Sequence, residues 1–120
     1  MIGTPLVPIT SGVIAMPLIG SIDEQRAARI LDVLLDGIAE RRARMALLDV
    51  TGAKDVDARL AATILKVARA ASLLGAEVVV TGIQPEMARI LVQEGVNLGQ
   101  LKACATLQEG ITLALSRASG

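Results

Sequence analysis

Polar side chains able to bind a ligand or a partner cluster between residues 49 and 59. Asp49 ends an apolar run that begins at Met45, and Asp57 opens a helical pattern that continues to about Leu74. In open α/β sheets, ligands and partners usually meet the protein where the carboxyl end of a strand faces a helix N-terminus. We therefore expect the working surface at this junction, which comprises Thr51, Gly52, Lys54, Asp55, Asp57, Ala58 and Arg59.

The composition argues against most enzyme chemistry. The 120 residues contain no His, which removes the commonest general base and the commonest metal ligand. The single cysteine, Cys104, forms neither an internal disulfide nor a zinc site alone, and its apolar neighbours favour a buried, unreactive thiol. A free thiol without an export signal favours a cytoplasmic location. We predict no catalytic residue, no cofactor and no metal site.

Charge and hydropathy also exclude two classes of partner. Twelve basic and twelve acidic side chains cancel, and no Phe, Tyr or Trp is present to stack on bases, so a nucleic-acid partner is not expected. Residues 1–22 are uncharged over about the length of a membrane span. Pro5, Pro8 and the turn pair Ser11-Gly12 favour a β-hairpin there instead, so no membrane partner is expected.

Hydrophobic periodicity predicts alternating strands and helices after the hairpin. Two capping boxes, Ser21 with Glu24 and Thr106 with Glu109, mark the starts of the first and last helices. The result is one α/β domain over residues 1–120: a mostly parallel sheet with an antiparallel N-terminal edge strand, packed by about four helices. The predicted strands are 6–10, 13–18, 45–50, 77–81 and 101–105; the predicted helices are 21–40, 57–74, 84–94 and 106–117, with a loop at 96–99.

Three arginines, Arg41, Arg42 and Arg44, close the first predicted helix. Cations at this position stabilise the negative end of the helix dipole. The alternative is a small patch for an acidic partner. We favour the role in capping and solubility, because three arginines alone are a weak signal.

Asp49, Thr81 and Lys102 support a second interpretation. They lie at or near the ends of three predicted strands, where a phosphoacceptor receiver domain carries an Asp, a Thr or Ser, and a Lys. A receiver also holds magnesium with an acidic pair after its first strand, whereas Asp23 and Glu24 come later, inside a capping box. A receiver-like domain that uses Asp49 is therefore kept as an alternative, as is a domain that binds a small ligand.

Four segments carry a resemblance to a known family. They are PLIGSID at 17–23, LLDVTGAKDVDARLA at 47–61, LLGAEVVVTGIQPEMARILVQEGVNL at 73–98 and ATLQEGITLAL at 105–115. In this order they resemble the STAS domain of bacterial anti-sigma factor antagonists, and more narrowly the stressosome proteins of the RsbR and RsbS type. The resemblance implies a STAS fold and a chain that is either RsbS-like or the C-terminal domain of an RsbR-like protein.

In that family a partner kinase phosphorylates a Ser or Thr directly after the Asp that begins the second helix. Here Asp57 matches the Asp, and the phosphoacceptor position is Ala58, which has no hydroxyl. A second family site falls near Ile90, also without a hydroxyl. Two explanations stand open: a constitutive scaffold or antagonist, or a phospho-null substitution.

The resemblance implies a non-enzymatic protein-interaction domain in a bacterial stress-response cascade that regulates a sigma factor. Its implied partners are a switch or anti-sigma serine-threonine kinase and other STAS-domain proteins, with assembly into homo- or hetero-oligomers. Asp57 is expected to N-cap its helix as well as to lie in the partner surface. Lys54 and Arg59 flank the turn and are expected to be exposed.

Overall fold

The computed structural model describes residues 5–95 and 101–118. The predicted order of elements is confirmed, and the predicted loop at 96–99 lies outside the described residues. The strands are β1 Val7–Thr10, β2 Val13–Pro17, β3 Met45–Asp49, β4 Glu77–Thr81 and β5 Lys102–Cys104; the helices are α1 Glu24–Arg41, α2 Ala58–Leu73, α3 Pro85–Gln93 and α4 Leu107–Ala118.

The five strands form one sheet in the order β1-β2-β3-β4-β5. β1 pairs antiparallel with β2, and the other three pairs are parallel, as predicted. The register aligns Pro17 with Asp49 and Asp49 with Thr81, so these strands end in line. Because parallel strands end at the same edge of a sheet, the loops that follow β2, β3 and β4 lie side by side.

Apolar side chains cover both faces of the sheet. The larger core combines residues of α1, α2 and α3 with one face of the strands, and its fully buried members include Ile30, Leu34 and Ile64. The smaller core lies on the other face, where α4 contributes Ala114 and packs against Leu47 of β3 and its neighbours. Strands buried on both faces explain why β3 and β4 are continuous apolar runs rather than alternating ones.

The helix starts differ from the sequence prediction at one position. The capping box predicted at Ser21 and Glu24 is wrong, because Asp23 is the N-cap of α1 and its carboxylate accepts a 2.8 Å hydrogen bond from the amide of Arg26. At α4 the hydroxyl of Thr106 accepts a 3.1 Å bond from the amide of Glu109, as predicted. No helix in the described part of the chain is long and apolar enough to cross a membrane.

Truncation of Leu34 tests the larger core. The side chain of Leu34 is fully buried, so Leu34→Ala is expected to lower the free energy of unfolding by about 2–5 kcal/mol, through lost burial and a residual cavity. The matched control is Leu73→Ala at the end of α2, where the residue is 88% exposed and the change is expected to stay within about 0.5 kcal/mol. Chemical denaturation measures both, and equal effects would contradict the packing described above.

Candidate partner-binding surface

The seven residues predicted to form the working surface are all exposed and contiguous in the structure. Thr51, Gly52, Lys54, Asp55 and Asp57 lie in the loop between β3 and α2, and Ala58 and Arg59 are the first two residues of α2. We call these seven residues the switch surface. Two basic and two acidic side chains make it a mixed-charge surface, without the one-signed field that would favour a polyanion.

Asp57 sets the start of α2. Its backbone is extended, and its Oδ1 accepts a 3.1 Å hydrogen bond from the amide of Leu60, which is the N-cap geometry expected from the sequence. Ala58 therefore occupies the first helical position, where its methyl group faces solvent. The helix N-terminus presents free amides and a partial positive charge beside this methyl group, but no side-chain hydroxyl at position 58.

The carboxylate of Asp49 holds the loop at its base. Its Oδ1 accepts hydrogen bonds from two hydroxyls: Oγ1 of Thr81 at 2.7 Å and Oγ1 of Thr51 at 3.0 Å. Thr81 is fully buried at the end of β4, whereas Thr51 is exposed in the switch surface. One carboxylate oxygen thus joins the buried sheet to the exposed loop, and hydrogen bonds to an ionised group are stronger than neutral ones.

Gly82 allows the chain after β4 to approach this group. Its φ of +76° lies in the left-handed region, and a Cβ at this position would overlap the hydroxyl of Thr51 and approach Oδ1 of Asp49 to 3.0 Å. A side chain at residue 82 would therefore displace Thr51 from Asp49.

A second loop supports the switch surface, and the sequence did not predict its role. The carbonyl of Gly20 accepts a 2.9 Å hydrogen bond from the amide of Lys54, and the amide of Gly20 donates to the carbonyl of Gly52, also at 2.9 Å. Next to it, the hydroxyl of Ser21 donates to the carboxylate of Asp55. The parallel register of β2 and β3 is the signal that could have revealed this contact, because it places the two loops side by side.

Arg26 fixes the second loop from α1. Its Nη1 donates to the backbone carbonyl of Ser21 at 3.0 Å and to that of Ile19. Asp55 adopts a φ of +52°, which Asp tolerates better than most residues. Asp55 also accepts the hydrogen bond from the hydroxyl of Ser21. The second loop therefore supports the switch surface at the residue with the left-handed backbone.

The structure does not bring Lys102 to Asp49. The ammonium of Lys102 lies 3.1 Å from the carboxylate of Glu77, at the start of β4, whereas Asp49 lies level with Thr81, at the end of β4. The register places Lys102 level with Val79, two residues before Thr81, and its ion pair with Glu77 directs its ammonium toward the start of β4 rather than toward Asp49. Within residues 5–95 and 101–118, no three acidic or Cys side chains are grouped to hold a metal ion.

A shallow, mostly apolar groove adjoins the switch surface. It has a volume of about 380 Å³ and runs between α1 and α2. Ala27, Ala28 and Ala62 line it, and so does Arg59 of the switch surface. An apolar patch bordered by charged groups is the usual anatomy of a protein interface.

Ile90, the second family position, is half-buried and packs against the larger core.

Comparison with known proteins places this geometry in a family. The STAS domain matches residues 4–118. The RsbT co-antagonist protein RsbRA of Bacillus subtilis is 40% identical over 114 residues, which is 95% of this chain and 42% of RsbRA. The chain thus spans less than half of the length of this relative.

Solved structures agree on the fold. An RsbS variant from Moorella thermoacetica superposes with a TM-score of 0.83 at 23% identity, covering 98% of each chain. A chain from the stressosome, described as a signal integration and transduction hub, gives a TM-score of 0.75 at 23% identity and covers 95% of this chain and 98% of its own. At these identities the likeness extends to the fold alone.

Removal of the Thr81 hydroxyl tests the anchor at Asp49. Thr81→Val keeps the buried shape but deletes a 2.7 Å hydrogen bond to a carboxylate, so it is expected to lower the free energy of unfolding by about 1.5–3 kcal/mol. Thr63→Val is the control, because the Thr63 hydroxyl only donates to the carbonyl of Arg59 within α2, a bond that contributes little to helix stability. Denaturant titration distinguishes the two, and an unaffected Thr81→Val would contradict the anchoring role.

Proposed function

Because the chain belongs to the STAS domain family, we propose that it is a non-enzymatic protein-interaction domain of a bacterial stress-response cascade of the stressosome type. It acts in the cytoplasm by binding other proteins and carries out no chemical step itself. The observation that carries the proposal is the switch surface, an exposed and braced strand-to-helix junction with Ala58 at the first helical position.

The proposed partners are a switch kinase and other STAS-domain proteins. RsbRA is named as a co-antagonist of RsbT, and 95% of this chain aligns with it at 40% identity, so an RsbT-type protein is the first partner to test. RsbRA is longer than the aligned region, and any activity of its remaining part is not assigned to this chain. The bound STAS-domain proteins form the larger assembly in which the switch surface works.

The bracing of the switch surface supports binding without prior rearrangement. Three anchors hold it: the hydroxyl bonds to Asp49, the backbone pairing with Gly20 and the side-chain bond from Ser21 to Asp55. A surface that is already ordered loses less conformational entropy on binding, which favours affinity. The groove between α1 and α2 offers apolar area beside the charged residues.

Ala58 fixes the charge of the surface. A phosphate at this position would add roughly two negative charges beside Asp55 and Asp57 and would change which partner the surface accepts. The N-terminus of α2 would offset part of that charge. Without a hydroxyl at residue 58, no phosphate is added there, and the domain is a constitutive binder whose switching is left to other subunits. Ile90, at the second family position, also lacks a hydroxyl, so no phosphate is added there either.

A charge at residue 58 is expected to weaken partner binding. Ala58→Glu places a carboxylate at the first turn of α2, where the helix dipole favours it, so the fold should persist. The added charge next to Asp55 and Asp57 is expected to weaken the complex with purified RsbT of Bacillus subtilis roughly tenfold or more. Isothermal titration calorimetry measures the affinity.

The matched control is Ala88→Glu, the same substitution at an exposed position of α3 outside the switch surface. Its affinity for RsbT should equal that of the unsubstituted chain. Absence of any complex with the unsubstituted chain, or an equal loss of affinity in both variants, would count against the proposed surface.

A further inference from the structure

A basic groove crosses the edge of the sheet where the strands begin. Two adjoining cavities form it, one of about 620 Å³ and one of about 270 Å³, and both are lined by Arg44 and Gly75. Arg69 and Lys102 line the larger cavity, and Arg42 lines the smaller one. We define the basic groove by these four cations, Arg42, Arg44, Arg69 and Lys102, which come from three segments of the chain: the α1–β3 connection, α2 and β5.

Neutralisation of helix dipoles does not account for most of this charge. Arg42 is the C-cap of α1, so its position suits the negative helix end. Arg44 and Lys102 lie at the starts of strands, and Arg69 lies before the last turn of α2, which holds no basic residue. The helix dipole therefore explains Arg42 alone among the four cations.

The carboxylate that lines the groove is already paired. Glu77 lies 3.1 Å from the ammonium of Lys102 and also binds the guanidinium of Arg117. Within the described residues, Arg44 and Arg69 have no ion pair with any carboxylate. The groove and its border thus hold five cations against one acid, although the whole chain has a net charge of zero.

Three of the twelve acidic side chains form a row elsewhere on the same chain. Asp32, Asp36 and Glu40 are exposed at four-residue spacing along α1, which places them on one side of the helix, and Arg29 lies near them. We call the three carboxylates the acidic stripe. None of them has an ion-pair partner among residues 5–95 and 101–118. Each surface therefore carries the charge that the other lacks.

We propose that the basic groove of one copy of this chain binds the acidic stripe of a second copy. The dimensions agree: the stripe extends about 12 Å along the helix from Asp32 to Glu40. Arg44 directly precedes β3, and Lys102 begins β5 two strand spacings away and three residues further along, so their backbones are about 14 Å apart. Leu74, the C-cap of α2, lines the groove, is 49% exposed and supplies apolar area for the contact.

This inference deepens the assembly part of the proposed function and rests on that part only. The groove lies at the opposite edge of the sheet from the switch surface, so self-association leaves Ala58 and its neighbours accessible. Because the contact is built from exposed charges, salt is expected to weaken it. Sedimentation velocity measures this self-association directly, at low ionic strength and over a range of protein concentrations.

Charge reversal tests the pairing of the two surfaces. Arg44→Glu with Arg69→Glu reverses the groove, and Asp32→Lys with Asp36→Lys reverses the stripe; each pair is expected to weaken self-association roughly tenfold or more. An equimolar mixture of the two variants should regain association, because the reversed groove then meets the reversed stripe. This rescue is the result that a loss of folding could not produce.

Arg89→Glu with Gln93→Glu and Gln108→Glu is the control, with the same change in net charge as the reversed groove, at exposed positions outside the basic groove and the acidic stripe. It should associate as the unsubstituted chain does, and circular dichroism should show that all variants are folded. A chain that stays monomeric at low salt, or reversed variants that do not recover on mixing, would overturn the proposal. The RsbT titration with Ala58→Glu is independent of these outcomes, so failure of either proposal can be recognised separately.

Discussion

One carboxylate oxygen connects the sheet to the surface that we propose to be functional. Oδ1 of Asp49 accepts hydrogen bonds from the buried hydroxyl of Thr81 and from the exposed hydroxyl of Thr51. This is possible only because β3 and β4 are parallel and in register, so that Asp49 and Thr81 end their strands together. The same register brings Gly20, after β2, against the loop that Asp49 anchors. The register of the sheet therefore determines the shape of the switch surface.

The contacts that shape the switch surface do not involve residue 58, where a phosphate would change its charge. The anchors at Asp49, Gly20 and Ser21 determine where the loop lies, and none of them requires a side chain at residue 58. In the family resemblance, residue 58 is where a phosphate would alter the surface, and here it is a methyl group. The function that we propose follows from this: a domain with an ordered binding surface whose charge does not change. Such a component suits an assembly in which other subunits respond to the signal.

The sequence predicted the elements well because their signals are local. Continuous apolar runs identified β3 and β4, and Asp57 was correctly predicted as the N-cap of α2. Ser21 shows where this approach fails: the pattern of Ser21 and Glu24 is a valid capping box, yet Asp23 caps α1. The hydroxyl of Ser21 instead binds Asp55, 34 residues away, and no local pattern reports such a contact. The receiver interpretation placed Lys102 near Asp49 for a related reason. The position of Lys102 in a strand could be predicted from the sequence, but its ion pair with Glu77 could not.

The most direct test of the fixed-charge claim is phosphoryl transfer to residue 58. The unsubstituted chain and an Ala58→Ser variant would be incubated with RsbT, ATP and magnesium, and intact mass spectrometry would count the phosphates on each. We predict no phosphate on the unsubstituted chain and one phosphate on the variant, mapped to residue 58 after proteolysis. Phosphate on the unsubstituted switch surface, at Thr51 for example, or a variant that stays unmodified although it binds RsbT, would contradict the claim.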